Sequence, residues 1–140
     1  MRILVDTSVW SLILRRDPAT PNPTEQTVVR ELRDVVQDGR ARIIGTIRQE
    51  LLSGIKTDRQ FELLQEKSAL FEYEELTTAD YENAAAATNR CFRAGLTASS
   101  VDALICAIAL NRNWAILTTD SDFDRFQPVL RFTLHKPTVL

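Results

Sequence analysis

Short apolar runs alternate with longer amphipathic segments along the chain. Ile3-Leu4-Val5 and Ala115-Ile116-Leu117 are two of these runs, and continuous apolarity over so few residues is typical of strands buried on both faces. Arg42-Ile43-Ile44 predicts another short strand. Weaker strands are predicted near residues 70–73 and 130–134. The pattern therefore predicts four or five short strands.

The segments between the strands predict helices. Each is marked by apolar residues at 3.6-residue spacing or by a residue that caps its first turn. Two capping-box patterns, Thr46 with Gln49 and Thr77 with Asp80, each indicate a helix start. The predicted helices cover about residues 9–14, 23–38, 46–55, 58–67, 78–94 and 98–110, and a loop is expected at 17–23. The helix after Thr77 is expected to bury a face made of Tyr81, Ala84, Ala85, Thr88, Cys91 and Phe92.

Alternation of short buried strands with helices implies parallel βαβ units with right-handed crossovers. The expected fold class is α/β, with a short parallel sheet of four or five strands between helices in an α/β/α sandwich. The length of 140 residues is close to the commonest size of one domain. We therefore expect a single domain over residues 1–140.

Composition adds limits rather than a function. The hydrophobic fraction of 44% and the charged fraction of 26% are ordinary for a globular protein, and the net charge of −2 argues against a broad basic face. No apolar run approaches the roughly 18 residues that span a bilayer, and no secretory signal opens the chain. We expect a cytoplasmic protein without a membrane segment. Cys91 and Cys106 lie in apolar helical patterns and are expected to be reduced and buried.

Acidic residues fall where a parallel sheet binds its ligands, beyond the carboxyl ends of the strands. Asp6 directly follows the first strand and Asp120 follows the strand near the C-terminus. Glu50 lies in the first turns of the helix after the second strand. Asp102 is the only charged residue between positions 98 and 110 and lies near the start of a buried helix. These four carboxylates can converge at one edge of the sheet.

Each of these residues taken alone also has an ordinary structural explanation. Asp6 and Asp120 fit helix or turn caps, Asp102 can complete a capping box with Ser99, and Glu50 can interact with a helix dipole. Together they are harder to explain, because like charges in a partly buried site are costly without a cation or a proton. Carboxylates without histidine or thiolate partners suit Mg²⁺ or Mn²⁺, whose use in proteins is chiefly phosphoryl chemistry. The single histidine, His135, lacks companions for a zinc site.

With these positions in place, the chain resembles the PIN-domain ribonucleases, and in particular the VapC toxins of toxin–antitoxin pairs. The resemblance extends over nearly the whole chain, although the middle, from about residue 56 to 95, is not diagnostic. The matching segments are Ile3-Leu4-Val5-Asp6-Thr7-Ser8-Val9-Trp10, Glu50-Leu51, Asp102-Ala103-Leu104-Ile105-Cys106-Ala107-Ile108-Ala109 and Leu117-Thr118-Thr119-Asp120-Ser121-Asp122-Phe123.

The resemblance implies a Mg²⁺-dependent endoribonuclease, with Mn²⁺ as a substitute ion. It also implies an RNA substrate, a homodimer and a cognate VapB-like antitoxin that covers the acidic pocket. One departure is Asn111-Arg112-Asn113, which stands where many relatives carry a His-Gly turn and leaves that loop in doubt. The implied metal-binding and catalytic residues are Asp6, Glu50, Asp102 and Asp120, with Asp122 as a possible fifth and Thr7, Ser8 and Thr118 as candidate hydroxyl helpers.

RNA requires a local basic rim, for which Arg15, Arg16, Arg48 and Arg112 are candidates by position, although each also fits a solvated surface charge. Trp10 can stack on a base, but packing in the core or at a dimer interface is the favoured interpretation.

Two alternatives remain open at this point. A haloacid dehalogenase-type phosphatase also places an aspartate after its first strand, but it needs a second aspartate two residues later, where this chain has Ser8. A catalytically inactive binding or receiver module would keep the fold without the chemistry, since a fold alone does not decide function. The filling of all four acidic positions favours the nuclease.

Overall fold

The computed structural model describes residues 1–14, 22–71 and 73–137. Most of the predicted loop at 17–23, together with Arg15 and Arg16, lies outside the described residues. Strands and helices alternate along the described chain. In order they are β1 (Ile3–Val5), α1 (Thr7–Leu14), α2 (Pro23–Gln37), β2 (Ala41–Ile44), α3 (Gly45–Leu52), α4 (Asp58–Ser68), β3 (Tyr73–Glu74), α5 (Thr78–Arg93), α6 (Ser100–Arg112), β4 (Ala115–Leu117), α7 (Asp122–Leu130) and β5 (Thr133–Leu134).

The sheet has the strand order β3-β2-β1-β4-β5, and every neighbouring pair is parallel. The first strand of the chain is therefore central, with Ile3 aligned with Ala41 on one side and with Ala115 on the other. All the carboxyl ends lie at one edge because the strands are parallel. The predicted parallel α/β fold is confirmed.

The core lies around β1, β2 and β4, whose residues are all buried. Helix α6 adds seven consecutive buried residues from Ala103 to Ala109. Trp10 is fully buried, with its ring centroid 4.4 Å from that of Phe71, so it is a core residue and cannot stack on RNA. None of the described helices is long and apolar enough to cross a membrane.

Two of the predicted helix starts are confirmed in detail. The side chain of Asn22 accepts a hydrogen bond from the backbone N–H of Glu25 at 2.8 Å. At the start of α5, Thr77 Oγ1 accepts from the backbone N–H of Asp80, and the Asp80 carboxylate accepts from that of Thr77. Each bond satisfies a backbone donor that the first helical turn leaves unpaired.

The capping box predicted at Thr46 is wrong. Thr46 as N-cap would make Ile47 the first helical residue, but α3 begins two residues earlier, at Gly45, and its N-cap residue Ile44 makes no side-chain capping bond. Gly45 lies close to the edge strand, because a Cβ at this position would be only 3.0 Å from the hydroxyl of Tyr73. Thr46 is thus inside the helix, and its buried Oγ1 has no hydrogen-bond partner among the described residues.

Helix α7 was not predicted, and it occupies part of the segment expected to form the last strand. The helix has an apolar face whose residues are three and four positions apart. This pattern is hard to recognise in the sequence because Pro128 and three polar residues before Phe126 interrupt it. Phe123, Phe126 and Leu130 form that face and are buried. Only Thr133 and Leu134 of the segment 130–134 form the last strand.

The face that α5 buries also differs from the prediction. Ala84, Ala87 and Cys91 are buried, whereas Tyr81 and Phe92 are 55% and 76% exposed. The helix packs mainly against α6, and small residues at spacings of three and four let two helices approach closely. Both cysteines are buried and free, as expected.

Candidate metal centre

Asp6 is the most buried of the predicted acidic residues, with 5% of its surface exposed. It follows β1, and its backbone carbonyl accepts the first hydrogen bonds of α1. Ser8 Oγ and Thr118 Oγ1 both donate to its Oδ2, at 2.9 and 2.8 Å. Asp6 Oδ1 accepts no hydrogen bond from the described residues, so the two hydroxyls fix the carboxylate while leaving one oxygen for another ligand.

The loop after β4 is held against the end of β1 by the same two hydroxyls. Ser8 Oγ accepts from the backbone N–H of Thr119 at 3.1 Å, and Thr118 Oγ1 accepts from that of Asp120 at 3.0 Å. Asp120 Oδ1 in turn accepts from the backbone N–H of Asp122 at 2.9 Å. This chain of bonds orients the Asp120 carboxylate before any ligand binds.

Asp102 reaches the same place from α6. Ser99 caps this helix by accepting the backbone N–H of Asp102 at 3.1 Å. Carboxylate oxygens of Asp102, Asp120 and Asp122 lie within 4.8 Å of one another, close enough to share one ion. Asp6 and Glu50 are not members of this tight group.

The electrostatics nevertheless tie four of the carboxylates together. The pKa of Asp102 is raised from 3.8 to about 6, first by burial and then by the negative charge of Asp6. Asp120 and Glu50 raise this pKa further, whereas a hydrogen bond with Ser99 lowers it. Asp102 is therefore under repulsion that a cation or a proton would relieve.

Glu50 lies at the exposed rim of the group, in the second turn of α3. Thr7 Oγ1 donates a hydrogen bond of 2.6 Å to Glu50 Oε1, which joins the start of α1 to α3. The three candidate hydroxyls thus hold carboxylates in place: Thr7 holds Glu50, while Ser8 and Thr118 hold Asp6.

Asp122 differs from the other acidic residues because it has a cationic partner. The guanidinium of Arg125, one turn along α7, hydrogen-bonds to Asp122 Oδ1. Sequence reasoning missed Arg125 together with its helix, although an acidic and a basic residue three apart are a recognisable helical pair. Part of the charge of Asp122 is therefore already compensated.

The donor set fits a divalent cation. It consists of carboxylate oxygens alone, which Mg²⁺ and Mn²⁺ prefer. The raised pKa of Asp102 supplies the physical reason, since binding a cation would replace repulsion by attraction. The arrangement can accordingly bind a divalent cation at the carboxyl edge of the sheet.

The prediction that Arg112 belongs to a basic rim for RNA is wrong. Its guanidinium donates to Asp80 and Glu74 at 2.9 Å and lies 5.6 Å from the centre of the Trp114 ring. The doubtful loop after it is ordered by Asn113, whose φ of 56° takes the left-handed conformation that a glycine would otherwise supply. Arg48 is partly buried on α3.

The model of the PIN domain family matches residues 3–127, which is most of the chain. The chain belongs to the PIN domain family. This match confirms the predicted family and sets aside the phosphatase alternative. Members of the family are, in general, nucleases that use a divalent metal. Among curated protein sequences, no match is found.

Solved structures with the same fold cover nearly the whole PIN domain. FitAcB from Neisseria gonorrhoeae is 18% identical, with a TM-score of 0.69 and 99% of each chain covered. VapBC2 from Rickettsia felis, bound to a DNA fragment from its promoter, is 16% identical with a TM-score of 0.72, covering 96% of this chain and 98% of the other. VapBC-1 from nontypeable Haemophilus influenzae is 12% identical with a TM-score of 0.70, covering 97% and 98%. At these identities the likeness establishes the fold.

Proposed function

We propose that this PIN-domain protein is a Mg²⁺-dependent endoribonuclease, able to use Mn²⁺, that cleaves RNA phosphodiester bonds. The observation that carries the proposal is the cluster at the carboxyl edge of the sheet, where carboxylate oxygens of Asp102, Asp120 and Asp122 lie within 4.8 Å of one another. Burial, and then the charge of Asp6, raise the pKa of Asp102 in agreement with this crowding. The proposed metal-binding and catalytic residues are Asp6, Glu50, Asp102 and Asp120, with Asp122 as a further metal ligand.

The bound ion would act as a Lewis acid on the scissile phosphate and lower the pKa of a water molecule. Asp102 and Asp120 would hold the ion, and Asp6 would offer the oxygen that Ser8 and Thr118 leave unbonded. Glu50 Oε1 is bonded by Thr7. Glu50 is exposed, and its Oε2 would act as the general base that accepts a proton from the attacking water.

The biological role that we propose is the toxin of a toxin–antitoxin pair. Three of the similar structures are named as the complexes VapBC2, VapBC-1 and a toxin–antitoxin complex from Klebsiella pneumoniae. By analogy, this chain would form one cytoplasmic domain, associate as a homodimer and bind a VapB-like antitoxin. The five proposed metal-binding carboxylates together form the acidic centre. An arginine from the antitoxin would neutralise this acidic centre in place of the metal.

The direct test is cleavage of a mixed RNA substrate by the purified protein. Cleavage is expected with Mg²⁺ or Mn²⁺, is expected to stop with EDTA, and should be abolished in Asp6→Asn and Asp102→Asn. Asp38→Asn is a matched control, because Asp38 is an exposed carboxylate paired with Arg40 outside the acidic group. Cleavage that survives EDTA, or wild-type rates in Asp6→Asn and Asp102→Asn, would refute the assignment.

The toxin role has a separate test in cells. Expression of the wild-type chain alone should arrest growth, and Asp6→Ala or Asp120→Ala should relieve the arrest because each removes an oxygen ligand. Co-expression with the product of the adjacent gene should also relieve it. Arrest by the Asp6→Ala protein as severe as that by the wild type would show that the harm comes from elsewhere.

A further inference from the structure

A cavity of 550 Å³ opens beside the acidic centre. Its walls come from four segments: the first two turns of α2, the loop after β4, Asp124 in the first turn of α7, and the residues from Leu134 to Pro137. The lining residues from α2 and from the C-terminal segment do not belong to the acidic centre. The cavity is within the 300–1,000 Å³ range of small-molecule sites, and can therefore hold one nucleotide.

The cavity and the acidic centre share their boundary. Thr118, which bonds Asp6, and Asp120, a proposed metal ligand, both line the cavity wall. A ligand that fills the cavity is therefore adjacent to whatever Asp120 binds.

The wall combines features suited to a nucleotide. Val28 and Leu134 supply apolar surface against which a base can pack, and Thr24 contributes a hydroxyl group. Lys136 brings a cation to an otherwise acidic edge. Its side chain is 74% exposed, and its Nζ lies 3.5 Å from Asp124 Oδ1.

The ion pair of Lys136 with Asp124 does not prevent Lys136 from binding another anion. Exposed ion pairs of this kind contribute little to stability, so a phosphate oxygen can replace the carboxylate. His135, the other titratable side chain of the C-terminal segment in this wall, is already bonded to Glu31 at 2.5 Å. Lys136 is thus the better candidate for the phosphate contact.

We propose that this cavity is the subsite for the nucleotide next to the scissile phosphate of a single-stranded RNA. Its base packs between Val28 and Leu134, and its flanking phosphate binds Lys136. The inference rests on the proposed ribonuclease function and extends it to the choice of cleavage site. Single-stranded RNA is the substrate class implied, because a base can enter a pocket only when it is unstacked.

A peptide segment of an antitoxin is the competing occupant. RNA is favoured because the cavity shares Asp120 with the acidic centre, where the scissile phosphate would have to lie, and because Lys136 offers a cation to an anionic chain. A peptide that brings an arginine to the acidic centre would also use Asp120, but it would gain nothing from the cation of Lys136, which would repel that arginine.

The test uses two variants of the whole protein and one control. Lys136→Gln removes the cation, and Thr24→Trp narrows the cavity from an exposed helix position. Lys67→Gln is the matched control, since Lys67 is an exposed lysine on α4 that does not line the cavity. Circular dichroism melting verifies that each variant folds.

Cleavage kinetics and cleavage-site preference are measured on single-stranded oligonucleotides that differ in the bases around the cut. Lys136→Gln is expected to raise KM about tenfold with little change in kcat, the size of one lost charge-assisted hydrogen bond. Thr24→Trp is expected to change the preferred base beside the cut. Wild-type KM and wild-type preference in both variants would overturn the subsite, as would a loss of antitoxin affinity alone.

Binding of nucleoside 5′-monophosphates, followed by NMR titration in EDTA, separates this inference from the proposed function. Chemical-shift changes at Val28 and Leu134 that weaken in Lys136→Gln but not in Lys67→Gln would support the subsite even if no RNA were cleaved. Cleavage of RNA by a protein whose cavity residues do not respond to any of the four monophosphates would refute the subsite alone.

Discussion

Asp80 and Asp102 occupy the same position in two similar helix starts and have opposite electrostatic environments. Each is the third residue after a capping hydroxyl, Thr77 for α5 and Ser99 for α6. Asp80 is buried but forms two hydrogen bonds with the Arg112 guanidinium, which together hold its pKa below 3.8. Asp102 is partly buried beside other carboxylates, and burial first and their negative charge second raise its pKa to about 6.

The difference shows that the local motif does not determine what an acidic residue does. A Ser/Thr-x-x-Asp pattern accounts for the start of a helix in both cases. The two roles are distinguished by the groups that the fold places next to each carboxylate: a guanidinium beside Asp80 and other carboxylates beside Asp102. Helix α6 contributes to both, because it carries Asp102 near its first turn and Arg112 in its last.

Removal of the cation from the structural site is expected to have the largest effect. Arg112→Met would leave Asp80, whose side chain is 3% exposed, without a counter-charge. Loss of one partner of a buried ion pair costs about 3–5 kcal/mol, and we expect a loss near the lower limit because Arg112 is 18% exposed. Urea denaturation would measure it. A double variant with Asp80→Asn should recover part of the loss, and equal stability of the single and double variants would contradict the pairing.

Neutralisation of the other aspartate should have the opposite sign. Asp102→Asn removes a charge from a repulsive group and should stabilise the metal-free protein. A pKa raised from 3.8 to about 6 corresponds to an upper limit of about 3 kcal/mol, and screening by water reduces the expected gain to about 1 kcal/mol. Thermal melting in EDTA gives the sign. A lower melting temperature for Asp102→Asn than for wild type would mean that repulsion is not the dominant interaction there.

The two aspartates should also respond oppositely to pH. Ionisation of Asp102 opposes folding, so its penalty is complete above about pH 6 and disappears as pH falls towards 3.8. Ionisation of Asp80 supports folding, so its contribution is complete above pH 3.8 and is lost only as pH falls through its lowered pKa. The advantage of Asp102→Asn over wild type should therefore shrink between pH 7 and pH 4. A constant advantage over this range, measured in EDTA, would exclude the titration of Asp102 as its cause.

Removal of a buried hydroxyl that has no hydrogen-bond partner should have the smallest effect on the free energy of unfolding. Thr46 Oγ1 is buried without a partner among the described residues, and Thr46→Val removes the hydroxyl while keeping the branched shape. We expect a gain of up to about 1 kcal/mol, since a buried polar atom without a partner carries a desolvation penalty. Ser11→Ala on α1 is a control, because Ser11 Oγ is bonded to the backbone carbonyl of Ser8. Stabilisation of both variants by the same amount would mean that the missing partner is not the cause.

Periodicity predicted the strands and most helices because burial on a sheet or helix face imposes a repeat on the sequence. The positions of Asp6 and Asp120 followed from the same pattern, since each comes directly after a buried strand. The hydrogen bonds that hold them could not be predicted, because Ser8 and Thr118 are 110 residues apart in the chain and meet only through the pairing of β1 with β4.

Tertiary contacts explain the failures. Local sequence favoured Thr46 as a cap, but the helix starts two residues earlier, at Gly45, which lies close to Tyr73 of the edge strand. Helix α7 was missed because Pro128 weakened a pattern that burial of Phe123 and Phe126 sustains. Arg112 was expected at a basic rim, and its partner Asp80 lies 32 residues away in sequence.

The central position of β1 has a consequence for synthesis of the protein. The strand made first pairs with β4, whose residues are made more than 100 positions later, and Thr118 must arrive before Asp6 has both of its hydrogen bonds. At about 5–20 residues per second, a ribosome takes roughly 6–20 s to cover that interval. We expect incomplete chains that end before residue 115 to lack an assembled acidic site. Translation itself would then delay assembly of the acidic site until β4 and the loop after it have emerged.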